Sequence, residues 1–221
     1  MLRLITLITL SLIVTMWAHA QALPNGPIES PKKANSRTAE PNAAPRPAPE
    51  PFDDASVEKM GEQCVTLETE LGAIEIAMMP EAAPESVRNF LNLAATGALD
   101  TTTFSRTVKD FVIQGGNLST SEKWSAELSR RMARKIPDEP GIIKHVRGIV
   151  SMARSDEPNS ATTHFFILVG NGSHLDGKFA AFGTVTKGIE IADQINQAPA
   201  DREKPEKPVR INKAVVVACK K

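Results

Sequence analysis

The stretch Cys64-Val65-Thr66-Leu67-Glu68-Thr69-Glu70-Leu71-Gly72-Ala73-Ile74-Glu75-Ile76-Ala77-Met78 decides the fold class. Val65, Leu67, Thr69 and Leu71 alternate with Thr66, Glu68 and Glu70, the period of two that belongs to a strand with one wet face. Gly72 interrupts, then Ile74, Ile76 and Met78 resume the alternation, so the two runs predict an antiparallel hairpin that ends at Pro80 and Pro84. Pro84 suits the first turn of a helix, where its missing N–H would be unpaired anyway. Val87, Phe90, Leu91 and Ala94 follow at helical spacing, and Gly97 supplies the stop.

Further along, a second hairpin is expected around Thr107-Val108-Lys109-Asp110, closed by Gly115-Gly116. In the segment 121–134, Trp124, Leu128 and Met132 recur at i, i+4 and i+8, which fits a surface helix. Gly148 to Ala153, His164 to Val169 and Ala180 to Val185 are short apolar runs between loops rich in Asn, Ser and Gly, and each reads as a strand. A second helix is expected at Ile189 to Ile195 and a last strand at Val209 to Cys219. The sum is a mainly β domain over residues 56–221, an antiparallel sheet of about eight strands with two helices. Closing it into a barrel would remove its edges.

The sequence upstream has a different texture. Arg3, an apolar run from Leu4 to Trp17 and the end Ala18-His19-Ala20 read as a secretory signal over residues 1–20, with cleavage expected after Ala20 or, as the minor option, Ala22. The run is shorter than the roughly 20 residues of a membrane-spanning helix, so no stable membrane insertion is expected once the signal is removed. Residues 21–55 hold eight of the sixteen prolines and seven alanines but only Leu23, Ile28 and Phe52 as large apolar residues. They read as a disordered Pro/Ala-rich linker. The expected product is exported, periplasmic or secreted, with monomer as the default state.

Composition excludes several classes. With 26 basic against 26 acidic residues, interspersed, there is no electrostatic footprint for nucleic acid. The four histidines and two cysteines form no metal-spaced cluster, so no metal site is expected. Neither a Gly-x-Ser-x-Gly elbow nor a phosphate-cradling loop is present.

Five collinear motifs then carry a resemblance: Phe104-Ser105-Arg106, Phe111-Val112-Ile113-Gln114-Gly115-Gly116, Gly148 to Ala153, Pro158 to Ile167, and His174-Leu175-Asp176-Gly177-Lys178-Phe179 with Phe182-Gly183. In order and spacing they resemble the cyclophilin-type peptidyl-prolyl cis-trans isomerases over roughly residues 63 to 219. The Asn159 to Thr162 loop is similar to that of bacterial members. The resemblance implies a closed eight-stranded antiparallel β-barrel capped by two α-helices, an active groove on its outer surface, proline-containing polypeptides as substrates and no cofactor.

It also implies roles. Arg106 matches the family's essential arginine, a donor to the prolyl nitrogen, and Gln114 would hold its guanidinium. Phe111, Val112, Phe166 and Leu175 match the pocket for the proline ring, while Ala153 and Arg154 match groove positions that contact the peptide backbone. Phe165 and Phe166 must face opposite sides of a strand, and the resemblance assigns the pocket to Phe166. Some positions depart from the pattern: His164 stands where glutamine is usual, Phe179 where histidine is frequent, His174 for a tryptophan, Val112 for a methionine and Arg154 for an asparagine. The first two put backbone contacts and pH behaviour in question, and His174 should weaken cyclosporin binding.

Cys64 opens the first strand and Cys219 closes the last, and in the resembling fold those strands are neighbours. A disulfide and two free thiols are both open, with export favouring the bridge. The function implied is acceleration of X-Pro rotation in exported proteins, a form of folding assistance. The alternative is a non-catalytic module that holds proline-containing segments in the same groove.

Overall fold

The structure, a computed structural model, describes residues 48–219. The expected signal, and the expected linker up to residue 47, lie outside the described residues. A short helix, α1 (Val57–Gly61), whose Lys59 N–H is capped by the Ser56 side chain, leads into β1 (Gln63–Thr69) and β2 (Gly72–Met78). Leu67, Ile74 and Ile76 are fully buried and Glu68 is exposed, as the alternation requires. Leu71 breaks it: Thr69 pairs with Gly72, so Glu70-Leu71 becomes the hairpin connection and Leu71 turns outward.

The helix α2 (Pro84–Ala95) starts at its proline and buries Val87, Phe90, Leu91 and Ala94. Its N-cap is Ala83, which has no side-chain acceptor. The Glu139 carboxylate replaces it from a distant loop, accepting from Glu85 N (2.9 Å), Ser86 N (2.8 Å) and Ser86 Oγ (2.7 Å). An anion there also complements the helix dipole. Next come β3 (Arg106–Val108), β4 (Val112–Gly115), a surface helix α3 (Ala126–Met132) with no buried residue, β5 (Ile149–Met152), β6 (Phe165–Leu168) and β7 (Ala181–Lys187). The helix α4 (Ile189–Gln197), a two-residue hairpin of β8 (Ala200–Asp201) and β9 (Lys204–Pro205), and β10 (Ile211–Ala218) complete the chain. The β8–β9 hairpin has no counterpart among the expected elements.

The eight main strands form one antiparallel sheet in the order β10-β1-β2-β7-β5-β6-β4-β3. The expected closed barrel is corrected here to a curled but open sheet. β3 is only three residues long, and the Thr107 N–H on its outer edge is taken by the Glu203 carbonyl of the β8–β9 turn (2.9 Å), so no ladder to β10 can form there. The two edges meet only beyond β3, at a bridge between Thr103 and Arg210 flanked by Phe104 N to Val209 O (2.9 Å) and Ile211 N to Thr102 O (2.8 Å).

Two apolar clusters lie on opposite faces of this sheet, sorted by strand alternation. The inner one holds Phe90, Phe104, Ile113, Phe165, Ile167 and Phe182, with Phe90 edge-on to Phe165 at 5.0 Å and tilted against Phe182 at the same distance. The outer one holds Val112, Ile149, Phe166, Leu168 and Ala181. Helix α2 packs against β7 and β10, and α4 against β2, β3 and β4.

Residues 48–55, expected to belong to the linker, instead pack on the domain. Phe52 and Ala55 are the apolar side chains that pack there, and polar groups of α2, α3 and the residues just after α3 supply the rest. Arg88 Nη1 donates to the carbonyls of Phe52, Asp53 and Ala55, and Asn92 Oδ1 accepts from Phe52 N. The Glu50 carboxylate takes Arg131 Nε (2.6 Å) and Arg134 Nη1 (2.8 Å). Cys64 and Cys219 are joined in a disulfide, their Cα atoms 5.0 Å apart, beside the Gln63–Ala218 pair of β1 and β10.

Candidate active site

The register places three expected residues in one row. Arg106 of β3 is paired with Gln114 of β4, and Gln114 with Phe166 of β6, all on the outer face. Their strand neighbours Thr107, Ile113 and Ile167 are buried on the inner face. The adjacent phenylalanines divide accordingly: Phe165 is core, and Phe166 joins the outer cluster. Gly116 secures the end of β4. It has a φ of +82° and lies so close to β6 that a Cβ would collide with the Thr163 carbonyl, and its own carbonyl accepts from Thr163 Oγ1 at 2.7 Å.

A groove of about 220 Å³ opens over this row, lined by Arg106, Phe111, Val112, Gln114, Ala153, Arg154, Phe166, Leu175 and Phe179. Nine of the eleven expected contact residues therefore converge. The floor is the outer apolar cluster, extended by Phe111, Leu175 and Phe179. One wall is aromatic and cationic: Phe179 stands edge-on to Phe166 with centroids 5.9 Å apart, and the Arg154 guanidinium lies 5.2 Å from the Phe179 centroid. Arg154 is held there by the carbonyls of Ser155 (2.8 Å) and Lys178 (3.2 Å) and by Asp138 at 3.7 Å.

His164 and His174 do not line the groove. The His164 carbonyl accepts from Ala153 N at 2.9 Å, which fixes Ala153, and burial pushes the His164 imidazole pKa down. The His174 ring, itself exposed, packs against Phe111 at 5.2 Å. Beneath the loop that carries Leu175, His145 is buried; its backbone N–H donates to Asp176 Oδ1 at 2.8 Å, its ring Nδ1 lies 3.3 Å from the same oxygen, and burial lowers its pKa despite that neighbour.

Arg106 is the polar centre. Nη1 donates to Gln114 Oε1 at 3.1 Å and Nε donates to Glu203 Oε2 at 2.7 Å. Glu203 is the site residue that sequence reasoning missed. Its carboxylate, beside the guanidinium, is held below the ordinary glutamate range. Three of the five guanidinium hydrogens remain for a ligand at the edge of an apolar pocket. Such an arrangement can donate to a weakly basic atom while a small ring is buried beside it, and it contains no nucleophile poised next to a base.

Residues 64–216 match the family model described as cyclophilin type peptidyl-prolyl cis-trans isomerase/CLD. The chain is 36% identical over 163 residues to peptidyl-prolyl cis-trans isomerase A of Dickeya dadantii, covering 69% of this chain and 84% of the relative. It is 37% identical over 147 residues to peptidyl-prolyl cis-trans isomerase CYP23 of Arabidopsis thaliana, covering 66% of this chain and spanning 65% of that relative's length. Among solved structures it is similar to a cyclophilin-type isomerase of Cryptosporidium parvum crystallised in the presence of the dipeptide Ala-Pro. That likeness has a TM-score of 0.62 and 29% identity, over 71% of this chain and 99% of the other.

Proposed function

We propose, for a chain that belongs to the cyclophilin-type peptidyl-prolyl cis-trans isomerase family and has that activity, that Arg106 drives X-Pro rotation in exported polypeptides by donating to the prolyl nitrogen. The observation that carries this reading is the row Arg106–Gln114–Phe166, which sets a fixed cation beside an apolar floor.

Rotation about an X-Pro amide must cross a barrier of about 18–20 kcal/mol set by C–N conjugation. Twisting the bond pyramidalises the nitrogen and localises a lone pair on it. A donor at that point favours the twisted state over the planar one, which is what catalysis requires. No bond to the substrate is made or broken, so no nucleophile is needed. Arginine stays protonated at any working pH, and its planar fork can be aimed. Phe111, Val112, Phe166 and Leu175 hold the proline ring while the preceding carbonyl swings, and Gln114 keeps the guanidinium in place. Ala153 lets the peptide backbone approach, and Arg154 on Phe179 forms the rim.

Export is the second part of the proposal. It rests on the N-terminal pattern of residues 1–20, and the Cys64–Cys219 disulfide supports it, since such bridges persist in oxidising compartments. The mechanistic part is tested with Arg106→Lys, which keeps the charge but loses the planar fork. Catalysed cis–trans exchange of a short Ala-Pro peptide should fall at least tenfold, roughly 1.4 kcal/mol of barrier. Full activity in the lysine variant would overturn it.

A further inference from the structure

Arg106 is gripped from two sides, and only one of the two partners belongs to the strand pair that carries it. Gln114 comes from β4, whereas Glu203 comes from the β8–β9 turn, 97 residues away in the chain. The turn is not free to wander. Arg202 takes a positive φ of +56°, the Glu203 carbonyl accepts from Thr107 N on β3 at 2.9 Å, and Glu206 N donates to the Pro199 carbonyl at 2.9 Å. Backbone hydrogen bonds thus fix where the Glu203 side chain starts, and its Oε2 meets Arg106 Nε at 2.7 Å.

A guanidinium is a planar fork, so one contact leaves it free to swivel and two contacts on different nitrogens fix its plane. With Nε on Glu203 and one Nη1 hydrogen on Gln114, the Nη2 edge and the other Nη1 hydrogen have no partner among the described residues. We infer that Glu203 is a positioning residue for isomerisation: it and Gln114 lock the plane of the Arg106 fork so that its free edge faces the prolyl amide. This inference rests on the reading of Arg106 given above.

The pair is exposed, 42% for the Arg106 side chain and 53% for that of Glu203. Exposed pairs add little to stability, so a role in folding does not account for it. A charge effect would have the opposite sign from a positioning effect. A carboxylate on Nε draws off part of the positive charge that the prolyl nitrogen must feel, so a purely electrostatic Glu203 would slow the enzyme and its removal would speed it. Holding the fork predicts the reverse, because misplacing a catalytic group by a fraction of its contact distance is costly.

The test uses the full chain and a short Ala-Pro peptide, with kcat and KM measured separately for wild type, Arg106→Ala, Glu203→Ala, Glu203→Gln and Asp201→Asn. Glu203→Ala is expected to lose at least fivefold in kcat with KM within twofold. Glu203→Gln, which still accepts from Nε, should stay within threefold of wild type. Asp201→Asn removes the same charge from the same hairpin without touching Arg106 and should stay within twofold. Exchange of the Arg106 Nε–H, followed by NMR, should be slowed in wild type and at least tenfold faster in Glu203→Ala. Because the backbone bond from Thr107 to residue 203 survives every substitution, the variants should fold. If Glu203→Ala nevertheless unfolds, Glu203→Gln and the Nε–H exchange of wild type decide. Glu203→Ala activity at or above wild type, or fast Nε–H exchange in wild type, would overturn the inference while leaving Arg106 in its role. Full activity in Arg106→Ala would overturn both.

Discussion

Replacing both Cys64 and Cys219 by serine should destabilise the domain about as much as a large core truncation. The bridge ties residues 155 apart, so it closes nearly the whole domain into one loop. In the chain-entropy treatment, ΔS is about −2.1 − 1.5R ln n, which for a loop of that length gives about −17 cal/mol/K, or roughly 5 kcal/mol at 25 °C. The native side of the balance changes little, because β1 and β10 remain paired from Gln63–Ala218 to Thr69–Ile211 without the bridge. The loss should therefore be about 3–5 kcal/mol, and a domain of this size would melt roughly 6–20 °C lower. Urea unfolding of wild type, with and without reductant, and of the double serine variant gives the number. Reduced wild type should coincide with the variant, and isomerase activity of the folded fraction should be unchanged because the groove lies on β3, β4 and β6. A loss below about 1 kcal/mol, or no effect of reductant, would refute the reasoning.

Other outcomes follow from the same contacts. Phe90→Ala opens a hole between Phe165 and Phe182 and should cost about 3–5 kcal/mol in denaturant unfolding; a cost under about 1 kcal/mol would contradict the core described. Glu50→Ala leaves the mostly buried Arg131 without its carboxylate and should cost about 3 kcal/mol, with faster amide exchange over residues 48–55 as its local signature and unchanged exchange there as its refutation. Glu139→Ala removes the distant cap of α2 and should cost about 1–2 kcal/mol, read from the same unfolding curves and contradicted by no change. His145 and His164 both have pKa values lowered by burial, so in the window just below about 6.5 the unfolded chain binds more protons than the folded one. Their contribution to stability is then complete above that pH and is lost as pH falls through the window toward the folded values. Unfolding free energies at pH 7.5 and pH 5.5 should differ less in His145→Gln than in wild type, and an unchanged difference would refute the assignment.

The parts of the fold that were legible in the sequence are those governed by alternation and punctuation. The period of two predicted β1 and β2, and the Phe165/Phe166 split came from the geometry of any strand. The proline at 84 and the glycine at 97 bracketed α2. Charged and non-local features stayed hidden. Asp201-Arg202-Glu203-Lys204 has no alternation to mark a hairpin, and its partner Arg106 lies far upstream, so neither β8–β9 nor the grip on Nε could be read. The open edge has the same origin, since the Glu203 carbonyl occupies the donor that a closing ladder would need. Residues 48–55 looked like linker because their anchors are Arg88 and Asn92 of α2, Arg131 of α3 and Arg134 just beyond it, which composition cannot connect to them. Nine of the residues named through motif resemblance line the groove, whereas His164 lends its carbonyl to Ala153 and the exposed His174 ring packs on Phe111.

The most direct measurement of the central claim is a single NMR titration of a short Ala-Pro peptide with wild type and Arg106→Ala, reading affinity and catalysed cis–trans exchange together. The variant is expected to bind the peptide within about threefold of wild type, because the apolar floor is intact, while catalysed exchange falls at least tenfold, about 1.4 kcal/mol. Exchange that persists at the wild-type rate in Arg106→Ala would contradict the claim.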